Sequence, residues 1–91
     1  MNTKHVDGKD KGNITVFALS TCVWCNKTKR LLKNLGVDYD YINIDELEEN
    51  QRNEAMDELR KINPSCSFPT MQINGKAIVG FQDERIKEVL K

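Results

Sequence analysis

The chemistry of this chain gathers at Ser20-Thr21-Cys22-Val23-Trp24-Cys25, a Cys-x-x-Cys set where an apolar run stops and a helical pattern begins. The run before it, Ile14-Thr15-Val16-Phe17-Ala18-Leu19, is β-branched and aromatic and follows Lys11-Gly12-Asn13, so it reads as a short buried strand. Ser20 and Thr21 offer capping oxygens. Cys25, Thr28, Leu32 and Leu35 then recur at the three-and-four spacing of one helix face, with Lys27, Lys29, Arg30 and Lys33 off it. Cys22 is thereby placed at a helix N-terminus and Cys25 one turn inside. Unpaired N–H groups and the positive end of the helix dipole favour a thiolate at Cys22, whereas a deeper Cys25 stays protonated. The pair is expected to work in thiol–disulfide exchange, Cys22 attacking and Cys25 resolving.

The rest of the chain must hold that junction in place. At 91 residues it is one domain, burying roughly 60–65% of its unfolded-chain surface. Fourteen Lys plus Arg balance fourteen Asp plus Glu, which removes the long-range drive toward nucleic acid or an anionic membrane. No apolar run approaches the about 20 residues of a membrane span, and the polar start lacks a signal-peptide pattern, so the expected location is the cytoplasm. Three cysteines are too few, and odd in number, for a secreted disulfide framework.

In chain order, residues 1–12 read as a polar arm, with the lone His5 solvated, and residues 13–91 as the domain. The helix from Cys22 ends at Gly36, suited to a left-handed C-terminal cap. Tyr39-Asp40-Tyr41-Ile42-Asn43-Ile44 alternates as a second strand. Asp45 and Glu48 stand in capping-box spacing for a helix with Leu47, Ala55, Met56, Leu59 and Ile62 inward, ended by Asn63-Pro64. Met71-Gln72-Ile73 and Lys76-Ala77-Ile78-Val79 flank Asn74-Gly75, a hairpin turn pair, and Ile86, Val89 and Leu90 face inward from a last helix. The order βαβαββα predicts an α/β fold: a mixed four-stranded sheet, its first two strands parallel, with helices on both faces. Cys22 falls at the carboxyl end of a central strand, where ligands gather in such sheets.

The blocks around Cys22-Val23-Trp24-Cys25, Phe68-Pro69-Thr70 and Val79-Gly80-Phe81 resemble those of glutaredoxin-like redoxins of the thioredoxin fold, and within that group most nearly the NrdH-type redoxins, electron donors to ribonucleotide reductase. The resemblance runs from Asn13 to Leu90. It implies that Pro69 is a cis-proline facing the cysteines and that Phe68 and Thr70 offer backbone groups to an extended substrate. By the residues alone, Pro69 also reads as a trans proline at a strand edge. Trp24 reads either as core or, on the exposed first turn, as a recognition platform at the rim of the site. Gly80, Phe81, Gln82 and Asp83 complete the implied substrate surface.

Two departures from the family pattern bear on partners. Glutathione-using glutaredoxins carry a cation three residues before the attacking cysteine and a Gly-Gly before the last helix; here Leu19 and Val79-Gly80 stand there. Thioredoxins carry a buried Asp six residues before it; here it is Val16. The expected partners are therefore disulfide-bearing proteins and a thioredoxin-reductase-like or other reductase, with glutathione disfavoured, acting on a monomer that needs no cofactor beyond the Cys22–Cys25 disulfide. Cys66, three residues before Pro69, reads as a small buried or half-buried residue, an accessory redox thiol or a metal ligand. The competing function is a zinc or iron–sulfur module using Cys22, Cys25 and Cys66, with His5 or a second chain completing the set. A binding module with inert thiols is a third class, and a cysteine at a helix N-terminus argues against it.

Overall fold

The computed structural model describes residues 3–90; Met1, Asn2 and Lys91, which the sequence reading includes in the arm and the domain, lie outside the described residues. The elements are β1 (Lys4–Val6), β2 (Ile14–Ala18), α1 (Val23–Asn34), β3 (Tyr39–Asn43), a 3-10 turn (Ile44–Glu46), α2 (Glu49–Ile62), β4 (Thr70–Ile73), β5 (Lys76–Val79) and α3 (Asp83–Val89). They form one sheet in the order β1-β3-β2-β4-β5. β2 and β3 are parallel across the α1 crossover, and the other neighbours are antiparallel.

Strand alternation divides the core into two layers. Ile14, Val16 and Ala18 join Tyr39, Met71, Ile73 and Ile78 on one face, covered by Cys25 and Leu32 of α1 and by Ile86 of α3. Phe17 and Ile42 point to the other face, where Ala55 and Leu59 of α2 cover them. Both faces of β2 are thus occupied, which is why its sequence is a continuous apolar run rather than an alternation. Gly36 caps α1 at φ +71, as its position after the helix predicts, and Asn74-Gly75 makes the β4–β5 hairpin with both residues at positive φ.

The sheet has five strands, not the four expected. Part of the stretch that reads as a polar arm is β1, paired antiparallel with β3, Lys4 to Tyr41, His5 to Asp40 and Val6 to Tyr39. Only Val6 packs against the core, so no apolar alternation announces this strand. Polar and backbone contacts hold it instead. His5 Nδ1–H donates to Asp40 Oδ1 at 2.7 Å, and its Nε2 lies 3.2 Å from Asp7. Beyond the strand, Lys9 N–H donates to Gly36 O and Asp38 N–H to Lys9 O, each at 2.8 Å. Gly8 fits there only as glycine, since a Cβ would come within 2.6 Å of the Val37 carbonyl carbon.

Three smaller expectations are also corrected. Asp45 does not cap α2: that helix starts at Glu49, and Asp45 sits in the 3-10 turn with its carboxylate turned toward Ser20. Leu47 therefore precedes α2, with its carbonyl accepting from Arg52. Leu35 and Val89 are 38% and 49% exposed, the one capping the end of α1 and the other the last residue of α3.

The Asp40 hydrogen bond, helped by the charges of Asp40, Asp38 and Asp7, raises the His5 pKa above its ordinary 6.5. A raised folded-state pKa gives stability that is fully present below the unfolded value and lost as pH rises through the folded one. Urea denaturation of the protein and of His5→Gln is therefore expected to show a stability gap that is wider at acid pH, while the aspartates remain ionised, than at alkaline pH. A gap independent of pH would contradict the assignment of the His5–Asp40 pair as the clasp of β1.

Candidate active site

The parallel β2–β3 pair positions the cysteines. Ala18 is level with Asn43, so the residues two further along each chain segment, Ser20 and Asp45, emerge side by side. Asp45 Oδ1 accepts the Ser20 N–H at 2.8 Å, and Oδ2 takes the Ser20 hydroxyl, which holds the Asp45 carboxyl below its usual range. The chain leaving β2 is pinned there, two residues before Cys22. Cys22 N–H then donates to Leu19 O at 3.1 Å, and α1 begins.

Cys22 itself is the N-cap, with an extended backbone (φ −80, ψ 117), and its Sγ accepts the Cys25 N–H at 3.2 Å. The capping atom is therefore the sulfur, not the oxygen of Ser20 or Thr21. An N–H that the helix leaves without a backbone partner points at this sulfur. Cys22 is half-buried, whereas Cys25 is 0% exposed within the α1–sheet layer. Burial pushes the Cys25 thiol up from 9.0 to about 12; the hydrogen bond to Cys22 and the Cys22 charge push the same way, and the Leu19 backbone and Lys29 charge oppose them. One sulfur is presented to solvent at a helix start and its partner is kept protonated beneath it.

A groove of about 280 Å³ beside the pair is lined by Trp24, Phe68, Pro69, Gly80 and Phe81. Trp24 is 54% exposed, its ring 5.9 Å from that of Phe81 and capped by Lys27 Nζ at 4.4 Å. The Trp24 ring thus lies at the surface, not in the core. The Phe68–Pro69 peptide is cis, and Gly80, at φ +80, donates its N–H to Pro69 O at 2.8 Å, joining the two sides of the groove. Thr70 is buried between β2 and β5, in register with Phe17 and Val79, its hydroxyl donating to Ser67 O at 2.7 Å and accepting from Asn63 Nδ2 at 2.9 Å. Gln82 folds its amide back onto Val79 O at 2.6 Å, and Asp83 opens α3 with its Oδ1 accepting the Glu84 N–H.

Cys66 stands apart from the pair. It is half-buried at φ +52 and packs against the α2-side layer, while Cys22 packs against the α1-side layer. Among the described residues the one group of three His, Cys, Asp or Glu donors close enough to share an ion is His5, Asp7 and Asp38, with no cysteine in it. His5 pairs with Asp40, level with Thr15 near the start of β2, and the cysteines follow that strand's far end. The set Cys22, Cys25, Cys66 and His5 is therefore not brought together within the chain.

Sequence reading overlooked Asp45 as the anchor of Ser20, Asn63 as the brace of Thr70, and Lys29, whose Nζ donates to Asn43 Oδ1 at 2.8 Å. The parallel register would have revealed Asp45, since residues equally far past Ala18 and Asn43 must meet.

A family model described as Glutaredoxin matches residues 14–78. The crystal structure of a glutaredoxin from Methanosarcina mazei Go1 is 54% identical with a TM-score of 0.90, covering 97% of this chain and 86% of that one. The methanoredoxin of Methanosarcina acetivorans is 51% identical with a TM-score of 0.89, covering 91% and 88%. The NrdH-redoxin of Escherichia coli, a glutaredoxin-like protein described as having a thioredoxin-like activity profile, is 28% identical with a TM-score of 0.66, covering 84% and 92%. The thioredoxin-like fold is thus shared, and the likeness to NrdH is a partial one. No helix among the described residues is long and apolar enough to cross a membrane.

With Cys22 and Cys66 both replaced by serine, the Cβ chemical shift of Cys25 is expected to hold its thiol value well beyond the pH at which a free cysteine titrates, about 8.5. A transition near the free value would contradict the burial argument. Since a raised pKa for an acid lowers stability as pH climbs from the unfolded toward the folded value, the reduced protein should also lose stability from pH 9.0 toward about 12.

Proposed function

The chain belongs to the glutaredoxin family, whose redoxins are thiol–disulfide oxidoreductases, and from that premise we propose that it reduces protein disulfides with Cys22 as attacking and Cys25 as resolving thiol. The observation that carries this is the Cys25 N–H to Cys22 Sγ contact at 3.2 Å, with Cys25 wholly buried and Cys22 partly open. The Cys22 thiolate attacks one sulfur of a substrate disulfide, breaking it and expelling one substrate thiolate, which takes a proton. Cys25 then attacks Cys22 Sγ in the mixed disulfide: the Cys22–Cys25 bond forms, and the second substrate thiolate leaves with the proton that Cys25 gives up. The chain is oxidised by two electrons and the substrate reduced by two.

The groove supports an extended polypeptide as substrate. Phe68 lines it ahead of the cis peptide, Trp24, Phe81 and Gly80 give it apolar walls, and buried Thr70 braces the turn from beneath. Gln82 and Asp83 flank the Gly80–Phe81 side. No cofactor is required beyond the Cys22–Cys25 disulfide. The protein acts as a cytoplasmic monomer in this reading, and an electron-donor role toward ribonucleotide reductase rests only on the partial likeness to NrdH.

Leu19 decides the reductant. It stands where glutathione-using relatives place a cation, and its side chain packs toward the α2-side layer. A charge-assisted hydrogen bond is worth about 1.5–3 kcal/mol, or roughly 10- to 150-fold in affinity, so glutathione binds here without it. A thioredoxin-reductase-like enzyme docking on Trp24, Phe68 and Phe81 loses nothing by that change.

Two experiments test the reading. Cys22→Ser is expected to abolish disulfide reduction, Cys25→Ser to trap a mixed disulfide with protein substrates, and Cys66→Ser to keep most activity. A Cys66 variant as inactive as the Cys22 variant would refute the two-cysteine mechanism. In stopped-flow reduction of the oxidised protein, the reductase should outrun millimolar glutathione, and Leu19→Lys, whose long stem can reach the surface, should narrow the gap. Rapid, saturable reduction of the unmodified protein by glutathione would overturn the assignment of the electron source.

A further inference from the structure

The resolving step asks a buried thiol to become a thiolate in a place with no carboxylate base, since Val16 occupies the position where a thioredoxin has its aspartate. We propose that Lys29 supplies the missing help, as a positioning residue whose ammonium charge stabilises the Cys25 thiolate while it forms. The inference rests on the dithiol reading above and deepens it.

Placement is the first support. Lys29 lies four residues after Cys25 on α1, so the two side chains are neighbours on one stripe of the helix. Its ammonium turns under the helix toward the sheet: Nζ lies 2.8 Å from Asn43 Oδ1 and 4.5 Å from the centre of the Tyr41 ring. Asn43 is the strand partner of Ala18, which packs in the same layer as Cys25. Tyr39 OH fixes the turn by donating to Lys29 O at 3.3 Å.

The second support is what the ammonium lacks. Its close partners are a neutral amide and an aromatic face, and among the described residues no carboxylate lies within ion-pair distance of Nζ. Glu46 is reached only through Asn43, whose Nδ2 donates to Glu46 Oε1 at 2.9 Å, and Asp45 is engaged with Ser20. A half-buried charge without a direct counter-ion keeps its field, and screening is weak in that layer. Lys27, Arg30 and Lys33 lie on the solvated side of the helix and have no such placement. The charged and titratable groups facing Lys29 are Cys25, Glu46, Asp45 and Cys22, all of which favour its ammonium form against the desolvation that lowers its pKa. Those facing Cys25 are Cys22 and Lys29, and of the two only Lys29 favours the thiolate.

Lys29 keeps its proton throughout. The Cys25 proton goes to the leaving substrate thiolate, the Cys22–substrate bond breaks and the Cys22–Cys25 bond forms, so the ammonium lowers the energy of the transient thiolate and takes no part in the balance.

The test compares Lys29→Gln, which retains a donor for Asn43, with Lys29→Arg, which retains the charge. A mixed disulfide of Cys22 with an aromatic thiol chromophore, formed at acid pH by rapid mixing of the reduced Cys66→Ser protein with the symmetrical aromatic disulfide and then jumped to the test pH, reports resolution by release of the second coloured thiol. Lys29→Gln is expected to slow release about tenfold at neutral pH, the thiolate population of one pKa unit, and to move the rise of its pH profile to higher pH. Lys29→Arg should restore both. Attack by Cys22 on the chromophoric disulfide, followed in a Cys25→Ser background, should change less than resolution does. Release from Lys29→Gln as fast as from the unmodified protein, an unshifted profile, or an arginine variant as slow as the glutamine one would overturn the role of Lys29. If the unmodified protein itself formed no mixed disulfide at Cys22, or failed to release the thiol, the dithiol reading would fail instead.

Discussion

Everything at this site depends on keeping Cys25 out of water while Cys22, three residues earlier, is left partly in it. The helix makes the difference. Its first turn faces the end of the sheet, where solvent enters, and its next inward position faces Val16 and Ala18 on β2. Two thiols of identical chemistry thereby acquire opposite exposures. Desolvation dominates the shift of Cys25, and the hydrogen bond to Cys22 adds to it. The same N–H that caps the helix on the Cys22 sulfur ties the two residues into one unit, so the asymmetry belongs to the turn and not to either cysteine alone.

The sheet carries this asymmetry in its register. Because β2 is central and covered on both faces, its end is fixed by neighbours on either side: Asn43 and Asp45 from the β3 side, Thr70 from the β4 side. Asp45 holds Ser20, and Asn63 with Ser67 holds Thr70, so the cysteine turn and the cis-proline turn hang from adjacent strand ends. Gly80 closes the arrangement through its bond to Pro69 O. The groove walls thus come from α1, from the turn before β4 and from the residues after β5.

The parts of this arrangement that could be read in the residues are those that leave a periodic or compositional mark. The apolar run of β2, the helix face through Cys25, Thr28 and Leu32, and the Asn74-Gly75 hairpin all follow from local patterns. β1 left no such mark, because a three-residue edge strand with one inward side chain is held by His5–Asp40 and, just past it, by the Gly8 N–H donating to the Asp38 carboxylate 30 residues away along the chain. Asp45 was misread for a related reason: an acid three residues before Glu48 has capping-box spacing, but the chain there makes a 3-10 turn and the carboxylate finds donors on Ser20 instead. Lys29 was lost among four cations that look alike in sequence and differ only in which way the stem bends. Local chemistry was readable; contacts set by register were not.

The central claim is the division of labour between the two sulfurs, and competitive alkylation measures it most directly. The fully reduced protein is treated at neutral pH with substoichiometric iodoacetamide, and the labelled residue is located by peptide mass mapping. The account predicts that Cys22 takes the label first, with Cys25 protected by burial and by its proton. Label appearing on Cys25 as fast as on Cys22 would contradict it.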